Sequence, residues 1–214
     1  MKKETLEGRE IKVAKKRSKK RIGFHETEGK SKIMVVEFIK KLEKQTVVSI
    51  FCDPTNPNKH LTGWIYSSSD DIVMIQHISP RGTYDGYILV QNEDIYRIDV
   101  DGEYEKKMYA LYTVKQQNHP DILIEENLYS SLLAFCKSEQ LVISVELEDS
   151  TLTGFVTAFD DEHITMTLLD DYGNSNGQTV VMNRLIISFA VDTEKEQDIK
   201  LLHEQKRNTA TISL

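Results

Sequence analysis

An internal repeat constrains this chain more than any other feature. Leu61-Thr62-Gly63-Trp64-Ile65 returns 91 residues later as Leu152-Thr153-Gly154-Phe155-Val156. The same offset aligns Gly82 with Gly173, Gly86 with Gly177, Leu89-Val90 with Val180-Val181, Asn92 with Asn183, and Val100-Asp101 with Val191-Asp192. Upstream the register shifts by four, pairing Val47-Val48-Ser49-Ile50 with Val142-Ile143-Ser144-Val145. The extra residues of the first copy fall in the segment 53–60, whose Pro and Asn mark a surface turn, where insertions are tolerated. Agreement of apolar positions, glycines and spacing, broken only at a turn, is the mark of a duplicated module.

Within each copy the hydrophobic pattern changes from a helical period to alternation. Ile33, Val36 and Ile39 open the first copy at helical spacing, and Leu128, Leu132, Phe135 and Cys136 do so in the second, where Pro120-Asp121 is the expected helix start. Five short runs rich in Val, Ile, Thr, Tyr and Phe follow, bounded by Gly, Asp, Asn and Ser. The expected strands are 46–52, 61–68, 72–78, 86–91 and 94–100, then 141–147, 152–159, 163–169, 177–182 and 185–191. A closing helix is expected in each copy, with Thr193 and Glu196 as a capping box for the second. The fold class expected is mainly β with flanking helices, an α+β arrangement. Its parts are a basic extension over 1–32, read as disordered, a first module over 33–114, a linker over 115–120, and a second module with its C-terminal helix over 121–214.

A helix followed by five bent strands, with glycine in the second, resembles the Sm-like family. The resemblance rests on Val48-Ser49-Ile50, Leu61-Thr62-Gly63-Trp64-Ile65, Asp71-Ile72-Val73-Met74-Ile75 and Ile95-Tyr96-Arg97-Ile98, and on their counterparts in the second copy. It implies two tandem five-stranded barrels, each preceded by a helix, and a non-enzymatic, nucleic-acid-binding role with RNA as the ligand. The alternative is a protein-interaction or scaffold module, pairing with itself or another protein through barrel edges. The positions matching the family's uridine-binding segment read Gln91-Asn92-Glu93 and Met182-Asn183-Arg184. A glutamate there opposes phosphate, so no uridine pocket is assigned.

Charge is unevenly placed. Residues 1–32 carry +7 and the remainder −14. Lys12, Lys15, Lys16, Arg17, Lys19, Lys20 and Arg21 form a cluster that attracts a polyanion by Coulomb forces and counterion release. The same arm could instead dock on its own acidic body or stay solvated. Between the third and fourth strands, Arg81 could meet phosphate while Tyr84 and Tyr87 stack on bases. The competing reading makes this a hairpin turned at Asp85-Gly86, with both tyrosines packed on the barrel.

Other chemistries find little footing. The six histidines are scattered, no nucleophile or nucleotide-loop motif occurs, and 170–177 lacks the order of a calcium loop. No enzyme activity, metal or cofactor is expected. Cys52 and Cys136 sit among apolar neighbours and are expected as buried free thiols. No apolar run is long enough to cross a membrane and the N-terminus carries no secretory pattern, so a cytoplasmic location is expected.

Overall fold

A computed structural model describes residues 34–42, 45–125 and 127–212. Helix α1 runs through 34–41. Strands β1 (Val47–Phe51), β2 (Leu61–Ser68), β3 (Ile72–Ile78), β4 (Tyr84–Gln91) and β5 (Arg97–Val100) follow, then α2 (Glu103–Val114). The second half consists of α3 (Leu128–Ser138), β6 (Val142–Glu146), β7 (Thr151–Phe159), β8 (His163–Leu169), β9 (Ser175–Met182), β10 (Ser188–Val191) and α4 (Glu194–Ile212).

The ten strands of the described residues join one antiparallel sheet in the order β5-β1-β2-β3-β4-β10-β6-β7-β8-β9. The two halves therefore have the same strand order. They also break register at matching places: β2 and β7 between Ile65/Ser67 and Val156/Ala158, and β3 and β8 between Gln76/Ile78 and Thr167/Leu169. Gly63 and Gly154 show why the repeat keeps glycine in this strand. A Cβ would lie 1.9 Å from the Gln76 carbonyl oxygen at the first and 2.0 Å from that of Thr167 at the second, a backbone approach that only glycine permits.

The sheet is open. Where two separate barrels were expected, β4 of the first half continues directly into β10 of the second, pairing Val90 with Ser188, Leu89 with Phe189, Ile88 with Ala190 and Tyr87 with Val191. This pairing merges the apolar interior across the repeat boundary. The largest core cluster draws Met74, Tyr87 and Leu89 from the first half against Leu132, Ile143, Met166 and Phe189 from the second. A smaller cluster, with Ile39 of α1 on Val48, Ile50, Val73 and Ile75, serves the first half alone.

Several local expectations change. The fourth strands begin earlier than 86 and 177, because Gly86 (φ 66°) and Gly177 (φ 84°) lie inside strands. The turn before β4 is built instead at 79–83, closed by the Gly82 N–H donating to Ser79 O at 2.8 Å. Helix α3 starts after Asn127, not at Asp121, because Asn127 Oδ1 accepts from the Tyr129 and Ser130 N–H groups at 2.9 and 3.3 Å. Residues 121–125 run non-helical, held at Ile122 by the Tyr66 hydroxyl. The fifth strands start late, after 3₁₀ turns at Asn92–Asp94 and Asn183–Leu185.

Candidate functional site

The merged sheet puts the unusual chemistry at the junction between halves. Gln91 ends β4, Asn183 and Arg184 occupy the turn before β10, and Tyr129 stands at the start of α3. These residues open onto a cleft of about 440 Å³ that also takes in Asp71, Asp161 and Phe189. Its polar groups are held in place. Gln91 Nε2 donates to Ile186 O at 2.6 Å, and the Tyr129 hydroxyl donates to Asn183 Oδ1 at 2.8 Å. Asn183 Nδ2 donates in turn to Asp160 O at 3.0 Å, a staple between turns that Asn92 repeats on Ser69 O at 3.0 Å. Tyr129 meets Phe189 edge to face at 5.2 Å. Burial pushes the Tyr129 phenol well above its usual range, so it stays a neutral donor. Arg184 is exposed. The opening is rimmed by amides, two carboxylates and one guanidinium around the half-buried Tyr129 ring, with Phe189 buried behind it.

At the other end of β4, about 20 Å away by strand rise, the residues expected to bind a single strand are used internally. Tyr87 is fully buried and its hydroxyl donates to Pro120 O, so it has no surface for a base. Tyr84 is half-buried, its hydroxyl donating to Asp192 Oδ2 at 2.7 Å and its N–H to Gln117 Oε1 at 3.0 Å. The stacking role is thereby corrected at Tyr87, and at Tyr84 the ring is engaged across the junction. Arg81 remains exposed, 3.6 Å from Glu194 Oε1, and does not come near the cleft. Lys12, Lys15, Lys16, Arg17, Lys19, Lys20 and Arg21 lie outside the described residues.

Around Tyr84 and Tyr87 lies a polar core that scattered histidines did not announce. His119 is buried, with Nε2 3.0 Å from both His77 O and Gly86 O and Nδ1 2.6 Å from the Tyr112 hydroxyl. One nitrogen donates and the other accepts, which fixes a neutral ring; burial lowers its pKa to about 4. The segment 115–120, expected as a linker, is thus bound into the junction. Asp85 Oδ1 accepts the Glu194 N–H at 2.7 Å at the start of α4, and Asp85 Oδ2 lies 2.9 Å from His77 Nδ1. Burial raises the Asp85 carboxyl, but these partners outweigh it and hold the pKa below the usual range.

A second device is repeated. Ser49 donates to the buried Glu105 of α2 and lies 3.3 Å from Thr62 Oγ1. Ser144 donates to Glu196 of α4 at 2.5 Å and lies 2.8 Å from Thr153 Oγ1. Glu196 also receives the Thr193 hydroxyl, so the expected capping pair meets side chain to side chain with its carboxylate turned into the core, and the first N–H of α4 goes to Asp85 instead. Glu105 and Glu196 are 91 residues apart, a match that the repeat could have revealed. Each latch fixes a helix on its own half of the sheet.

Cys52 is half-buried and Cys136 buried, both free; burial raises the Cys52 thiol to about 12. Among the described residues no group of His, Cys, Asp and Glu is placed to hold a metal ion, and no helix is long and apolar enough to cross a membrane.

No family model and no curated protein matches the chain. Among solved structures, one of K. pneumonia MrkH in its apo state is similar over 86% of this chain and 97% of that one, at 9% identity and a TM-score of 0.19, too remote a likeness to carry an argument.

Proposed function

We propose that the protein is a non-enzymatic binder of single-stranded nucleic acid, RNA above all, built from two Sm-like modules. The junction cleft receives a base and the basic arm at 12–21 neutralises phosphates. The observation that carries this reading is the gathering of Gln91, Asn183, Arg184 and Tyr129 at one opening, where amides and a guanidinium can reach a base edge and an aromatic ring can pack on its face. The strand order shared by the two halves supports the module assignment. The net charge of −14 outside the arm assigns most phosphate attraction to the arm itself.

Titration of the full chain with single-stranded oligonucleotides at two salt concentrations tests this. The logarithm of affinity should fall with the logarithm of salt by about 0.7 per neutralised phosphate. Replacing Lys15, Lys16, Arg17, Lys19, Lys20 and Arg21 with Ala should weaken all sequences alike and flatten that slope. Arg184→Ala should change the preference among bases and leave most of the slope. Absence of binding by the intact chain at low salt would remove the nucleic-acid reading. The scaffold reading would then stand, favoured by the edges that β5 and β9 present at the two ends of the sheet among the described residues.

A further inference from the structure

Each half carries a glycine bulge at the same place in its fourth strand. In β4, Asp85 and Gly86 stand opposite the single residue His77; in β9, Asn176 and Gly177 stand opposite Leu168. The first bulge is covered. A Cβ on Gly86 would lie 2.0 Å from Val191 O, while the Asp85 carboxylate accepts the Glu194 N–H at 2.7 Å and lies 2.9 Å from His77 Nδ1. Backbone and side chain of this pair are therefore both held.

The second bulge is bare. Strand β9 ends the sheet, so β8 is its one paired neighbour among the described residues. Ser175, Asn176, Gly177 and Gln178 are all exposed, and nothing lies within 4 Å of where a Cβ on Gly177 would be. Leu168, in the place of His77, offers the Asn176 carboxamide no hydrogen bond, and among the described residues no other donor or acceptor engages it. The carboxamides of Asn92, Asn127, Asn174 and Asn183 are by contrast all hydrogen-bonded. Of all the asparagines in the chain, Asn176 alone precedes glycine.

We propose that Asn176 is a site of spontaneous deamidation and isomerisation, with water as the only co-reactant. The Gly177 backbone nitrogen, giving up its proton to solvent, attacks Asn176 Cγ. The N–Cγ bond forms, the Cγ–Nδ2 bond breaks and ammonia leaves, closing a cyclic imide. Water then adds to either imide carbonyl. Opening on one side leaves aspartate at 176, and opening on the other leaves an isoaspartyl link that carries the main chain through the side-chain carbon; nothing is oxidised or reduced. Glycine favours the attack because it has no Cβ beside the nucleophile and its φ is unrestricted. The interrupted ladder at the bulge leaves the backbone fewer bonds to give up as the reacting atoms approach. Asparagine is thermolabile wherever that approach is open, and exposure supplies the water. Aspartate at 176 gives the second half the Asp-Gly pair of the first, whereas the isoaspartyl link lengthens the main chain of an outer strand; both add a carboxylate there. The chemistry does not depend on whether the cleft binds nucleic acid.

Incubation of the full chain near neutral pH, followed by peptide mapping in a mass spectrometer, reads the change from amide to acid at each asparagine. Isoaspartate is counted separately by enzymatic methylation of its free carboxylate. Asn176 should convert at least about tenfold faster than any other asparagine and yield isoaspartate as well as aspartate. Its rates in the folded chain and in urea should agree within about tenfold, and Gly177→Ala should slow it by about that factor or more. Asp85→Asn places the same Asn-Gly pair in the covered bulge. That carboxamide should persist in the folded protein and convert in urea as fast as Asn176 does. Persistence of Asn176 in the folded chain while it reacts in urea overturns the proposal, and so does conversion spread evenly over the asparagines or untouched by Gly177→Ala. Equally fast conversion at positions 85 and 176, in an Asp85→Asn variant that keeps its circular dichroism, also overturns it, because exposure would then not set the reaction.

Discussion

The inner junction and the outer edges of the sheet are built on the same positions but meet different surroundings. Leu89 and Phe189 are buried together at the centre, while their counterparts Val180 and Ile98 lie at the two ends, exposed and half-buried respectively. Around the inner pair the chain invests heavily: a buried histidine, an aspartate cap, and tyrosines whose hydroxyls reach across halves. Around the outer pair it keeps the backbone shape and has Thr179, Gln178 and Asp99 where the inner pair has Ile88, Tyr87 and Ala190. The difference teaches that identical strand order does not imply identical stability. A strand edge carries its backbone donors and acceptors wherever it sits, and apolar cover decides how firmly a pairing there is held.

Phe189→Ala is the sharpest way to break the contrast. It removes a fully enclosed ring from the largest core cluster and should cost about 3–5 kcal/mol, read as a lower urea midpoint. Val180→Ala, at a side chain 64% exposed, should stay within about 0.5 kcal/mol in dilute protein. Equal effects would mean that the junction is no more committed than the edges.

The next effect separates the junction by pH. His119 has a pKa of about 4 in the fold against an ordinary value near 6.5, so the folded state resists protonation and the unfolded chain accepts it. Its contribution is complete above pH 6.5 and is lost progressively as pH falls toward 4, amounting to roughly 3 kcal/mol. Urea unfolding across that window should show the slope, and His119→Gln should flatten it while lowering stability at neutral pH. A slope unchanged by that substitution would place the titration elsewhere.

The smallest effect probes the edge. Gly177→Ala meets no neighbour but must hold a left-handed backbone, at a cost of about 1 kcal/mol in dilute protein. The same change at Gly86 adds a collision with Val191 O and should fall among the largest losses. Comparable midpoints for the two variants would show that β10 yields to a methyl group.

Much of this architecture was legible in the residues. Leu61 to Ile65 and Leu152 to Val156 marked the second strands, and their glycines marked the close approach to the next strand. Apolar alternation located most strand centres, because which face is buried is written every second residue. The misplaced elements have local causes. Asn127 outcompeted Asp121 for the start of α3 because only its carboxamide reaches two helix N–H groups, and Gly86 reads as a turn residue in sequence although its positive φ serves a passing strand. The cleft was half visible: Gln91, Asn183 and Arg184 stood out as matching one family segment, yet Tyr129 belongs to a helix 54 positions before Asn183 and carried no motif.

Sequence alone determined the repeat, the succession of a helix and five strands in each copy, and the contrast in charge between residues 1–32 and the remainder. Each is encoded in residue type and spacing along the chain. Tertiary structure decided that β4 and β10 join the halves into one open sheet, that Tyr84, Tyr87 and His119 serve that junction, and that equivalent edges remain at either end. Those outcomes depend on which distant surfaces meet, and two copies with the same pattern differ only in what lies beside them.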